Sequence, residues 1–211
     1  MNCPLCDKQA HPYANDQSHG RIRRFFHCKN CFGIFLDPSL FLTSTAEKDI
    51  YDNHENHLSS DGYLNFLKKL SDPLETYLTS EMTGLDFGCG PVHAFAHLMT
   101  NYKIASYDPY FYSDQTHLEK TYDFILASEV IEHFNRPKDS FELLNGLLKP
   151  RGLLALMTQS WSENQDFLKW WYPRDPTHVF FYHQKTINFL KEKYRFESLI
   201  ETDSVFILRK I

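Results

Sequence analysis

The sequence predicts an α/β fold: a mostly parallel sheet with helices on both faces, closed by an antiparallel hairpin, and a small N-terminal attachment. Three observations predict it. The apolar run Leu85 to Phe87 enters Gly88 and Gly90, after which Val92, Phe95, Ala96 and Met99 fall at helical spacing. Two further buried runs, Tyr122 to Ala127 and Leu153 to Met157, flank a helical stripe of Phe141, Leu144, Leu147 and Leu148. Repeated strand-helix units of this kind build right-handed, largely parallel sheets. Finally, Cys3-Pro-Leu-Cys6 and Cys28-Lys-Asn-Cys31 stand ahead of all this as two paired-cysteine turns.

Length and composition narrow the class. The 211 residues suit one domain with an attachment and supply a sizeable core. Aromatics are plentiful, with 18 Phe, 12 Tyr and 3 Trp, and will dominate that core. A net charge of -5 argues against general affinity for nucleic acid or anionic membrane. No apolar run reaches the ~20 residues of a membrane span. Met1-Asn-Cys-Pro4 lacks the charged and apolar regions of a signal peptide, so a cytoplasmic location is expected. There the five cysteines are reduced thiols or metal ligands.

Residues 1–42 are expected to form a zinc ribbon. Two C-x-x-C turns offer the four thiolates that tetrahedral zinc takes, making Cys3, Cys6, Cys28 and Cys31 the ligands. So short a unit relies on its metal to fold. The competing readings are a metal-free ribbon or two redox pairs, although no thioredoxin-like βαβ pattern surrounds either pair. His11, His19 and His27 lie nearby, but four cysteines leave no vacancy. Arg21-Ile-Arg-Arg24 beside Phe25 and Phe26 reads as a solvated basic face, with RNA contact as the alternative.

Residues 43–80 read as a linker or site cover followed by a helix. Asp52-Asn-His-Glu-Asn-His57 is polar without periodicity. Its His54 and His57 read as exposed side chains before metal ligands. Ser60 and Asp61 then cap a helix with Tyr63, Phe66, Leu67 and Leu70 on one face, which Pro73 breaks or restarts.

Residues 81–211 carry the chemistry. A dinucleotide site would require G-x-G-x-x-G, and here His93 stands at the third glycine. A P-loop would require Gly-Lys-Ser/Thr, which is absent. Instead Asp86 lies at the strand end, suiting a cationic ligand without phosphate. Lys103 to Tyr107 is the next strand and ends at Asp108, 22 residues after Asp86, where an acid accepts from ribose hydroxyls in Rossmann-like sites. Tyr122-Asp-Phe-Ile-Leu-Ala-Ser-Glu-Val-Ile-Glu-His-Phe134 ends its strand at Ser128 and Glu129.

These stretches resemble motifs I and IV of the class I S-adenosylmethionine-dependent methyltransferases, with Val92 where the last glycine of motif I usually stands. The resemblance runs from about Leu85 to the C-terminus. It implies a Rossmann-like methyltransferase sheet that binds S-adenosylmethionine through Asp86, Phe87, Gly88, Cys89, Gly90, Asp108, Pro109, Ser128 and Glu129. In the resembling enzymes a tyrosine of the preceding helix can reach the cofactor, which makes Tyr63 a candidate, with a core aromatic as the favoured role. His133 stands below the cofactor's methionine part, or simply bonds a carbonyl at a helix start. The common plan has a further helix and strand after Asp108, for which only about a dozen residues remain. Adenine contacts therefore cannot be carried over.

After the fifth strand, Trp161 to His183 holds Phe167, Trp170, Trp171, Tyr172, Phe180, Phe181 and Tyr182, an acceptor wall or a packed lid. Related enzymes carry a stretch like Asp175-Pro-Thr-His178 here. Gln184 to Tyr194 reads as a helix. Phe196 to Ile200 and Val205 to Leu208 form the closing hairpin.

The expected activity is methyl transfer to a small-molecule acceptor held in line with the sulfonium. His178 supported by Asp175 is the expected base, with Glu132, His133 and His183 as alternatives, or proximity alone. Two rival functions stand beside it. One is an RNA methyltransferase whose ribbon grips RNA, against which the acidic net charge counts. The other is a non-catalytic cofactor-binding or protein-interaction module.

Overall fold

The computed structural model describes residues 1–17, 22–53 and 57–211. The readings placed on His19, Arg21, His54 and Glu55 fall outside these ranges. β1 (His11–Asp16), β2 (Arg23–His27) and β3 (Ile34–Leu36) form an antiparallel ladder. Helices α1 (Ser44–Tyr51) and α2 (Asp61–Glu75) follow. Then come β4 (Thr83–Phe87), α3 (Ala94–Leu98), β5 (Lys103–Tyr107), β6 (Tyr122–Ser128), α4 (Pro137–Leu147) and β7 (Leu148–Met157). β8 (Phe180–Phe181), α5 (Gln184–Tyr194), β9 (Phe196–Glu201) and β10 (Val205–Lys210) complete the chain.

Six strands form one sheet in the order β5-β4-β6-β7-β10-β9. β5, β4, β6 and β7 are parallel, while β10 runs antiparallel to both β7 and β9. This is the Rossmann-like methyltransferase arrangement with its closing hairpin. The order reverses at β4, so the carboxyl ends of β4 and β6 flank a switch point where open α/β sheets bind ligands. The strand missing after Asp108 is indeed missing. That segment holds only a 3-10 turn at Gln115–Glu119, and β5 is the sheet edge.

Side-chain alternation divides the core between the two sheet faces. Leu85, Ile125, Leu154, Leu156 and Phe206 pack with Phe141 and Leu144 of α4 and with Ile187 and Leu190 of α5. Phe124, Leu126, Ala155 and Ile207 face the other way, onto Leu67, Leu70 and Leu74 of α2 and Phe95 of α3. Among the described residues, no helix is long and apolar enough to cross a membrane.

The N-terminal unit is tied into this core. β8 adds to β3 as the fourth strand of the β1-β2-β3-β8 sheet. Phe25, Ile34 and Leu36 pack against Trp161, Phe167, Trp170, Tyr172 and Phe181. The aromatic stretch is thus a packed interface with the ribbon strands, and of its aromatic rings only that of Trp171, 56% exposed, faces solvent.

Four local details differ from expectation. Thr43 caps a helix, α1, in the polar stretch, where periodicity is masked because the buried position is an acid, Glu47. α2 continues through Pro73 to Glu75, since burial of Leu70 and Leu74 outweighs one lost backbone bond. α3 begins only at Ala94, because His93 takes a left-handed conformation at φ 45°. The turn at Lys149 to Gly152 is a bulge within β7, between the Tyr122 and Phe124 pairings.

Candidate active site at the carboxyl edge of the parallel strands

Motif I is a strand end folded back on its neighbours. The Gly88 and Cys89 N–H groups both donate to the Tyr107 carbonyl, at 2.7 and 3.2 Å. Gly88 has φ +76°, and a Cβ there would lie 2.5 Å from Val130 Cγ2. The loop therefore touches the segment leaving β6, and only glycine permits that approach. Gly90, at φ +61°, faces open space, leaving its backbone accessible to a ligand.

Asp86 is 3% exposed. Burial, reinforced by the nearby Asp108 charge, pushes its carboxyl up to about 8, while the Phe95 backbone works the other way. Asp108 accepts from the backbone N–H groups of Gly90 at 3.1 Å, Tyr110 at 2.8 Å and Phe111 at 3.1 Å. One carboxylate thus ties the end of β5 to the glycine loop. Cys89 and Phe87 are buried and Pro109 is exposed. Tyr63 is half-buried on α2, close enough to Asp86 and Cys89 that they join burial in raising its phenol to about 12. A cleft of about 560 Å³ opens at the free edge of β5 between His93, Ser106, Tyr112 and His117.

Beyond β6 the chain turns sharply. Glu129 sits at φ 52°, with its N–H donating to Met157 O at 2.7 Å. A non-glycine residue held left-handed at a strand end is a strain that surrounding structure must sustain. The Tyr172 hydroxyl contacts both Glu129 Oε2, at 3.3 Å, and Glu132 Oε1. It also meets Thr158 Oγ1 at 3.0 Å. Burial raises the carboxyls of Glu129, to about 8, and Glu132, to about 7; the Glu132 charge raises Glu129 further, while the Tyr172 hydroxyl lowers both. Ser128 Oγ is buried without a partner among the described residues.

The Asp175 to His178 segment folds against this corner. Val179 N–H donates to Glu132 O at 2.9 Å, and His133 Nδ1–H donates to Thr177 O at 3.0 Å. The rings of His133 and His178 meet at 4.8 Å. His178 is fixed by its Nδ1–H on Tyr172 O at 2.8 Å. Asp175 spends one oxygen on Thr177 N and Oγ1, and its other lies 3.9 Å from His178 Nε2. A backbone carbonyl, then, and not Asp175, holds the imidazole. Burial, with the adjacent His133, lowers His178 to about 3, so it is neutral at physiological pH. His183 lies elsewhere, capping α5.

Sequence reasoning missed the contributions of Arg23, Glu47 and Tyr172. Arg23, read as part of a solvated face, is buried and donates to the carbonyls of Pro173 and His178. Arg24 pairs with Asp37 at 2.8 Å. Glu47 of α1 accepts from Tyr51 at 2.7 Å and Tyr110 at 2.8 Å, and the Tyr51 ring meets His133 at 5.5 Å. Tyr172 was visible only as one aromatic among many. Buried acids in a polar stretch leave no periodic mark, but the Glu129-x-x-Glu132-His133 spacing was a signal.

The cysteine turns are built alike. Asp7 N–H donates to Cys3 O and Phe32 N–H to Cys28 O, with Asp7 and Phe32 both left-handed at φ 60°. All four Sγ atoms lie within 4.8 Å of one another, with Cys3–Cys31 at 3.5 Å and Cys6–Cys28 at 3.4 Å. Cys89 is separate and buried.

A family described as "Methyltransferase domain" matches residues 54–200. The chain belongs to that family. With the motif I and IV residues in place, this makes it an S-adenosylmethionine-dependent methyltransferase. No curated protein matches the sequence. Among solved structures, PH0226 protein from Pyrococcus horikoshii OT3 superposes with a TM-score of 0.50 at 15% identity, over 77% of this chain and 97% of that one. An O-methyltransferase family protein from Burkholderia thailandensis gives 0.50 at 10% identity, over 78% and 62%. A SAM-dependent methyltransferase from Archaeoglobus fulgidus gives 0.49 at 18% identity, over 71% and 100%. At 15% and 10% identity, the likeness to the first two is one of fold.

Proposed function

We propose that this methyltransferase alkylates a small-molecule acceptor, held in line with the sulfonium of S-adenosylmethionine. The observation that carries the reading is the convergence of Asp86, the Gly88–Gly90 loop, Asp108 and Glu129 at one sheet edge. A buried acid poised to ionise suits the cofactor's positive charge, and the open backbone at Gly90 suits close approach. The cofactor supplies an already electrophilic methyl group. The chain's residues have to bind and orient both partners and exclude water.

Acceptor handling falls to His133, Asp175 and His178. Both imidazoles donate from Nδ1 to carbonyls, which leaves Nε2 with a lone pair. That pair can take an acceptor proton or bind an electrophile. The ribbon favours a small acceptor over RNA: Arg23 is buried and Arg24 paired, so the expected basic face is largely used internally. We further propose that Cys3, Cys6, Cys28 and Cys31 hold structural zinc. Their sulfurs stand near the ~3.8 Å edge of a tetrahedron with ~2.3 Å bonds, and well beyond the ~2.05 Å of disulfides.

Labelled methyl transfer from cofactor into a fractionated cell extract tests the reading. Label is expected in the small-molecule fraction and absent with Asp108→Ala. Label confined to RNA or protein would overturn the acceptor class, and no transfer to any fraction would count against catalysis.

A further inference from the structure

We infer that Glu132, His133 and His178 form a binding site for a divalent first-row transition-metal cation, which would position and acidify a hydroxyl of the methyl acceptor. The three residues each bring one ligand atom to within 4.8 Å of the others. They come from two segments clamped together by the Val179 N–H to Glu132 O and His133 Nδ1–H to Thr177 O bonds.

Two independent features point to a cation. First, both histidines are arranged as metal ligands are. Each fixes its ring by donating Nδ1–H to a backbone carbonyl, Thr177 O or Tyr172 O, which presents Nε2 for coordination. Second, Glu132 is fully buried. Oε1 takes the Tyr172 hydroxyl, while Oε2 has no hydrogen-bond partner among the described residues. A buried carboxylate oxygen without a donor is costly unless something positive meets it. Two imidazoles and one carboxylate suit a first-row divalent ion and leave coordination positions open.

This use of the site rests on the methyl-transfer reading; the cation binding itself does not. An acceptor hydroxyl entering an open position would lose its proton to water more readily, as metal-bound water does. Its oxygen pair then forms the new C–O bond. The C–S bond breaks with its electrons remaining on sulfur. The products are a methyl ether, S-adenosylhomocysteine and one proton. The substrate class is therefore a hydroxyl compound, best one with a second oxygen beside it to chelate.

Equilibrium dialysis of the full chain against Mn2+, without cofactor or acceptor, followed by elemental analysis, tests the site. One equivalent of metal is expected beyond that held by the four cysteines, as manganese or as zinc already bound. Glu132→Gln and His178→Asn should each lose that equivalent, or bind at least about 10-fold more weakly, while retaining the cysteine-bound metal. Wild-type protein that takes up no second equivalent overturns the proposal, as does a second equivalent unchanged in both variants. The first of these reads directly even where a variant fails to fold. Metal bound without methyl transfer would leave the site standing and remove the function. Transfer undiminished in protein free of the second equivalent would do the reverse.

Discussion

Asp86 is buried among apolar neighbours with Asp108 close by, and its carboxyl is raised to about 8. Its raised value has a definite sign. Protonated Asp86 is the form the empty fold prefers, so its contribution to stability is full below the ordinary carboxylate range near 3.8 and is lost as pH climbs through 8. A cationic ligand reverses the preference by pulling the carboxyl down. Cofactor binding at pH 7 should therefore release a proton, and affinity should rise between pH 6 and 8. Titration calorimetry in buffers of different ionisation enthalpy reads this release, which should vanish in Asp86→Asn. Heats independent of buffer in the wild type would show that Asp86 does not meet the cofactor's charge. At this scale the positions were legible: Asp86, Asp108 and Glu129 stand at strand ends, as their spacing predicts, and their contact with cofactor is the proposal. Tyr172, Glu47 and Arg23 were not legible, because their partners lie 40 to 155 residues away in sequence.

Elements were read best where one face is apolar. α5 and the closing hairpin follow their patterns, whereas α1 and the short β8 did not announce themselves. β8 is two residues, and it exists because β3 offers an edge and Gly33 leaves room beside it. A Cβ on Gly33 would stand 2.2 Å from Phe180 Cζ, and Phe180 is 1% exposed, its ring stacked on Phe35 at 6.3 Å. The ring has nowhere to retreat. Gly33→Ala is expected to cost about 1–3 kcal/mol, the range for overpacking a filled core. Urea denaturation measures it, as a lower midpoint at unchanged slope. An unaltered midpoint would mean that the β3–β8 contact yields more easily than its packing implies.

At the scale of the whole molecule, the ribbon and the catalytic sheet share their interior. Cys3, Cys28 and Cys31 sit in the same apolar cluster as Leu85, Ile125 and Phe141. Arg23 of β2 holds the carbonyls of Pro173 and His178, and β8 belongs to the ribbon's sheet while Tyr182, just after it, donates to Ile131 O at 2.9 Å. A sequence with two motif sets reads naturally as two units, since shared burial between distant segments has no local signature. The consequence concerns metal removal. If zinc staples only a peripheral ribbon, chelation should melt that part and spare cofactor binding. Because the four cysteines pack into the common core, stripping the proposed zinc should instead lower the melting temperature of the entire chain and weaken cofactor binding together with it. Thermal unfolding followed by far-ultraviolet circular dichroism and by tryptophan fluorescence, with and without chelator, separates these outcomes. The two probes are expected to shift in parallel through one transition. Tryptophan is suited to this because Trp161 and Trp170 lie at the junction, where Trp161 Nε1–H donates to Phe32 O at 3.2 Å. Loss of the fluorescence transition alone, with the dichroism and the cofactor affinity intact, would show that the ribbon folds and fails by itself.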